Sequence, residues 1–222
     1  YKCNAKRSTF GISLQMAADI GKAIPQWRRH RSGKLTSNYA EGIGFFCSDD
    51  EVQVPDLEFV FVVAVVDDHA RKIHLSHGFS SHVTLLRPKS KGTVKLRSAD
   101  PYDSPSIDPA FFSHPDDMSV MIKAWKKQHR MLESEAFDDV RGECFYPVDA
   151  SDGSAIEQDI RNRADTQYHP VGTCKMGNDE MAVLENEILQ DVLKRAVDKY
   201  GPKFGHILLD DEGKCRRSNL IV

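Results

Sequence analysis

Ten residues concentrate the chemistry of this chain: Tyr168-His169-Pro170-Val171-Gly172-Thr173-Cys174-Lys175-Met176-Gly177. An imidazole has a reference pKa of ~6.5, so it can take or give a proton near neutral pH. Pro170 fixes its own backbone angle and biases His169 towards an extended conformation, a rigid way to hold an imidazole in a cleft. Gly172 and Gly177 permit close backbone approach to a flat or bulky group. Cys174 offers a thiol to pair with His169, but a Pro/Gly-bent loop between them gives no assurance that they meet. No Gly-x-Ser-x-Gly elbow supports a hydrolase. His69, His74, His77 and His82 are dense enough to raise a metal site. On a strand, however, residues three or five apart point to opposite faces. No Cys-x-x-Cys or His-x-x-x-His pattern backs them, so no metal is expected.

The elements that must position these groups can be read from periodicity. Residues 9–30 carry apolar positions at helical spacing (Phe10, Leu14, Ala17, Ala18, Ile20, Ile24, Trp27), interrupted at Pro25. Residues 33–44 read as a loop. Leu57 to Val66 is rich in Val and Phe and too apolar for an exposed edge, which predicts a central strand. His82 to Arg87 and Gly92 to Arg97 read as two further strands, joined by the short Pro88-Lys89-Ser90-Lys91 connection into an antiparallel hairpin. Asp100 to Pro115 is turn-forming. Ser113-His114-Pro115-Asp116-Asp117 then starts a helix whose inner face carries Met118, Met121, Ile122, Trp125, His129 and Leu132. A second helix begins near Ser151 to Ser154, runs through Ile156, Ile160 and Ala164, and delivers the chain to His169. Sheet first and helices beside it predict an α+β fold, an antiparallel sheet flanked by helices.

Composition narrows the function classes. The chain has 222 residues, 40% hydrophobic and 28% charged, an ordinary globular balance. A net charge of −3 argues against a nucleic-acid partner. The basic run Arg28 to Lys34 is short and reads as a solvated helix end. The longest apolar run, Phe59 to Val66, falls far short of the ~20 residues of a membrane helix, so no transmembrane segment is expected. The start, Tyr1-Lys2-Cys3-Asn4, reads as an interior cut or a processed end. Five scattered cysteines favour reduced thiols in a cytoplasmic setting, with any membrane association arising through an electron acceptor.

The order and spacing of the His169 run closely resemble the late signature of the glucose–methanol–choline (GMC) family of flavin-dependent alcohol oxidases and dehydrogenases. Further blocks extend the resemblance in the family's order. They are Leu35-Thr36-Ser37-Asn38 with Glu41 and Gly44-Phe45; Asp67-Asp68-His69 through His77-Gly78-Phe79 and His82-Val83; Leu86 to Gly92 with Leu96-Arg97-Ser98; Pro105 to Pro109; and Arg141-Gly142. Together they cover about residues 9–183. The signature looks more like bacterial choline and primary-alcohol dehydrogenases than fungal glucose oxidases.

This resemblance implies a substrate-binding domain over residues 1–183, whose antiparallel sheet roofs an FAD held by a separate domain. It implies oxidation of an alcohol CH–OH to a carbonyl with hydride transfer to FAD, His169 being the active-site base. Pro170 and Val171 would lie against the cofactor, Cys174 would be a small thiol packed beside it, and Glu41 and His82 would face a small-molecule alcohol. For Glu41 a satisfied loop carboxylate, and for His82 a hydrogen-bonded sheet histidine, are the competing readings.

The chain departs from the family in two places. The Gly-x-Gly-x-x-Gly turn that cradles the dinucleotide pyrophosphate is absent; Gly42-Ile43-Gly44 has no third glycine and no helix start. From Leu184 the sequence changes character, so residues 184–222 read as a divergent tail, a helix plus short strands, in part similar to small β-grasp sulfur carriers but without their Gly-Gly end. The expectation is a portion of an enzyme whose FAD-binding domain, or a second polypeptide, supplies the rest. The alternative is an inactive remnant or interaction fragment with no redox activity alone.

Overall fold

The computed structural model describes residues 1–4, 9–172, 194–195 and 198–199. The chain divides into two compact units, Tyr1–Asp165 and Thr166–Val222. The boundary expected at residue 183, Cys174 and almost all of the tail lie outside the described residues.

In the first unit α1 spans Leu14–His30. The Ser13 hydroxyl caps it by accepting from the Met16 amide at 3.1 Å, so the helix starts later than its apolar pattern does. Pro25 sits inside the helix without ending it. Its missing N–H leaves one carbonyl, that of Gly21, without its intrahelical donor, which the surrounding turns tolerate. The basic run is a helix end: Arg31 takes a left-handed C-cap conformation, its guanidinium lies 4.3 Å over the Trp27 ring, and Lys34 pairs with Asp19 at 3.2 Å.

The main sheet has three antiparallel strands, β1 (Ala40–Phe46), β2 (Leu57–Val62) and β3 (Ser80–Leu85), in that order. β2 is central, as its apolar run predicts. β1 corrects the reading of residues 33–44 as loop. Its glycines at 42 and 44 hide the strand pattern, yet Gly42 pairs with Phe61 and Gly44 with Phe59, and the Phe46 ring of the same strand fills the space that a side chain at Gly44 would take.

The expected hairpin between β3 and the next strand does not form. Pro88 cannot donate to a ladder, and the carboxylate of Asp117 takes the Lys89 and Ser90 amides at 2.8 Å each. The chain is therefore held on the start of a helix. β4 (Thr93–Lys95) pairs instead with β5 (Ser106–Asp108) in a separate two-stranded antiparallel sheet.

α2 (Pro115–Leu132) opens with His114 as cap, proline at the first helical position and two aspartates in the first turn. It presents two apolar faces rather than one. Ala124, Val120, Met121 and Met131 pack on Leu57, Phe59, Val83 and Leu85 of the sheet. Met118, Ile122 and Trp125 pack on Ile156 and Ile160 of α3 (Gly153–Arg163). α3 is capped by Asp152, which accepts from the Ser154 and Ala155 amides at 2.8 and 3.2 Å. Helices against antiparallel sheets make this an α+β fold, as the order of elements implied.

Candidate active site

The sheet has one face for the core and one for chemistry. Side chains alternate along a strand. Leu57, Phe59, Val83 and Leu85 face α2, so their neighbours Glu58, Val60, His82 and Thr84 face the other way. Val60 pairs with His82 on one side and with Ile43 on the other. Along β1 the exposed positions are Glu41, Ile43, Phe45 and Phe46, with Ile43 and Phe45 each 59% exposed. The face away from α2 thus carries His82, singled out from sequence, with two large exposed apolar side chains on its β1 edge, where exposed Glu41 also sits.

Burial holds the His82 imidazole below its ordinary pKa, and electrostatic repulsion from Arg163 and His69 pushes the same way. His82 is thus a neutral imidazole at pH 7, able to accept a proton or donate one hydrogen bond. Glu41 stands beside a β-bulge between Ala40 and Gly42 and accepts from the Ser37 hydroxyl. Its carboxylate is therefore partnered as well as exposed.

The histidine-rich block is a hydrogen-bonded polar network. His74 Nε2 lies 2.7 Å from Asp67 Oδ2, and the Tyr146 hydroxyl donates to the same oxygen at 2.6 Å. Burial works against ionisation of Asp67, but Tyr146, His74 and the charge of Arg163 outweigh it and hold the carboxyl below its usual range. His77 engages Ser13 Oγ at 2.8 Å and the Thr9 carbonyl at 3.1 Å. His69 meets Asp165 Oδ2 at 2.8 Å. Each of these three histidines is thus committed to a protein partner, and no group of three or more His, Cys, Asp or Glu among the described residues could hold a metal ion. Sequence reading missed Tyr146, Arg163 and Asp165, because nothing in their local patterns signals a partner as far away as the 79 positions from Tyr146 to Asp67 or the 94 from Asp165 to Arg71.

In the second unit His169, Pro170 and Val171 are all exposed, and so is Tyr168. Two residues bend this loop: Tyr168 at φ 64° and Gly172 at φ 100°. The second value explains the glycine, since a side chain is strained there. No described atom lies within 4 Å of where its Cβ would be.

Comparison with known proteins now gives this arrangement a family. Residues 88–188 match the GMC oxidoreductase family model, described as GMC oxidoreductase. The chain is similar to an alcohol dehydrogenase [acceptor] of Pseudomonas putida, 40% identical over 156 residues, covering 70% of this chain and 28% of that protein. It is similar to an oxygen-dependent choline dehydrogenase of Cronobacter sakazakii, 34% identical over 163 residues, covering 73% of this chain and 29% of that protein. Among solved structures, an Aspergillus oryzae RIB40 formate oxidase studied for modification of its FAD superposes with a TM-score of 0.61 at 23% identity, over 70% of this chain and 32% of that one. A pyridoxine 4-oxidase from Mesorbium loti gives a TM-score of 0.59 at 21% identity, over 66% and 30%. These two establish a shared fold. The chain spans less than a third of the length of the two dehydrogenases that it resembles. The chain belongs to the GMC oxidoreductases through the C-terminal portion of that family.

Proposed function

We propose that this chain is the substrate-facing part of an FAD-dependent oxidoreductase that converts an alcohol CH–OH to a carbonyl. The observation that carries the reading is His82: a neutral imidazole on the sheet face away from α2, the face that also carries exposed Ile43 and Phe45, in a chain whose His169 run resembles the family signature. The similarity to an alcohol dehydrogenase and a choline dehydrogenase supports the substrate class.

The described residues fit the ring end of FAD and not its phosphate end. Exposed Ile43 and Phe45 give an apolar surface of the kind that a flat ring system covers, and Pro170 and Val171 are exposed in the second unit. A phosphate cradle needs a glycine-rich strand-to-helix turn. α1 instead begins at a Ser13 cap after a non-strand segment, so the pyrophosphate must be held by a missing FAD-binding domain or a second polypeptide. When bound, FAD supplies the acceptor for the hydride.

The chain's own residues handle the alcohol. His169 takes the hydroxyl proton, which makes the neighbouring C–H a hydride donor. His82 offers a hydrogen bond to the substrate, and Glu41 bounds the substrate side. Ile43 and Phe45 exclude water.

The test is the visible spectrum of the 222-residue chain after incubation with FAD and desalting, followed by alcohol turnover after addition of the FAD-binding portion of a relative. Alcohol-dependent bleaching of the flavin supports the reading. A flavin-loaded assembly that bleaches with no alcohol overturns it in favour of a fragment without redox activity.

A further inference from the structure

The sharpest local strain in the first unit lies at Asp68, His69 and Ala70, three successive non-glycine residues at φ 49°, 51° and 63°. Left-handed conformations are visited by such residues singly, and a run persists only where its surroundings hold it. The hold is visible. Arg71 closes the turn on Asp68, with its amide 2.9 Å from the Asp68 carbonyl and its Nε 3.0 Å from the Asp68 carboxylate. Arg71 Nη2 and His69 Nε2 then converge on one oxygen, Oδ2 of Asp165, at 2.9 and 2.8 Å.

Asp165 is the last residue of the first unit, four positions before His169. It follows the end of α3, whose final residue Arg163 is tied to the same stretch of chain. Arg163 stacks 4.0 Å over the Tyr146 ring, and Tyr146 donates to Asp67 at 2.6 Å. Two independent lines thus run from the segment 163–165 to the segment 67–71. An exposed ion pair alone does little. Here two donors share one carboxylate oxygen, and the strained turn is what aims both of them.

We infer that the turn Asp68–Ala70, acting through His69 and Arg71 on Asp165, is a positioning clamp that fixes the point from which the His169 loop departs. Asp165, His69 and Arg71 are positioning residues: they act on the backbone leading to His169. The inference rests on the proposed role of His169, while the clamp can be examined without any turnover.

The test is nitrogen-15 relaxation of the 222-residue chain, wild type against Asp165→Ala, His69→Ala and His69→Gln. With the clamp intact, order parameters of residues 164–169 should sit near the rigid value of about 0.85; in Asp165→Ala they should fall towards 0.6 or below. α2 and β2 should keep their values. His69→Gln retains a donor for Asp165 and should restore most of the order lost in His69→Ala. Should Asp165→Ala fail to fold, Arg71→Ala serves, since that side chain is 63% exposed.

Unchanged order at 164–169 in a folded variant, or equal loosening of every element, overturns the clamp. In the FAD-loaded assembly Asp165→Ala should lower kcat by about tenfold to a hundredfold with KM held within about threefold. Absence of turnover in both wild type and variant would count against the oxidoreductase reading, and the relaxation result would still decide the clamp.

Discussion

His82 stands opposite Val60 across the β2–β3 ladder, on the sheet face turned away from α2. That one pairing links the fold to the chemistry. The same register that buries Leu57 and Phe59 against α2 sends His82 to the other side, the face that also carries exposed Ile43 and Phe45. A slip of one residue would exchange the two faces.

The His82 environment makes acid stability a test of the site. Its pKa is lowered in the folded chain, first by burial and then by Arg163 and His69, so the unfolded state binds its proton more readily. The stability tied to neutral His82 is complete above the unfolded value of ~6.5 and is lost as pH falls below it towards the folded value. His82→Gln should flatten this part of the unfolding free-energy profile below about pH 6.5. A profile identical to wild type would refute the assignment.

Tyr146 and Asp67 offer a structural counterpart. Tyr146→Phe removes the hydroxyl that donates to the buried Asp67 carboxylate at 2.6 Å. With Tyr146 itself 39% exposed, the loss should be about 1 kcal/mol, below the range for a fully buried bond to a charged group. Denaturant unfolding reads this directly, and the midpoint should fall with little change in slope.

Leu57 probes the core between sheet and helix. It is fully buried and shares a cluster with Phe59 and Ala124. Leu57→Ala should cost about 2–5 kcal/mol, the range for large-to-small changes at well-packed sites. A cost under about 1 kcal/mol would mean that the β2–α2 contact is not the principal core.

His169 carries the kinetic prediction. In an assembly that binds FAD, His169→Ala should lower turnover by ~10²–10⁴-fold, the usual contribution of a general base. Intact flavin binding with unchanged turnover would remove His169 from the mechanism.

Sequence by itself determined the fold class, a central strand starting at Leu57 (expected to reach Val66, ending at Val62), both helices after residue 113 and the family, because each rests on local periodicity, capping or an ordered set of motifs. β1 was hidden: Gly42 and Gly44 carry no side chain to mark a face, and only the pairing with Phe61 and Phe59 of β2 reveals the strand. The hairpin after β3 was misread because the competitor for the Lys89 and Ser90 amides, Asp117, lies 27–28 positions further on. The tertiary structure alone decided which face His82 takes, gave Asp67 its two partners, and brought His69 and Arg71 to Asp165, 94 positions from Arg71. Such contacts depend on how the chain returns to itself, and no local pattern encodes the distance at which it does so.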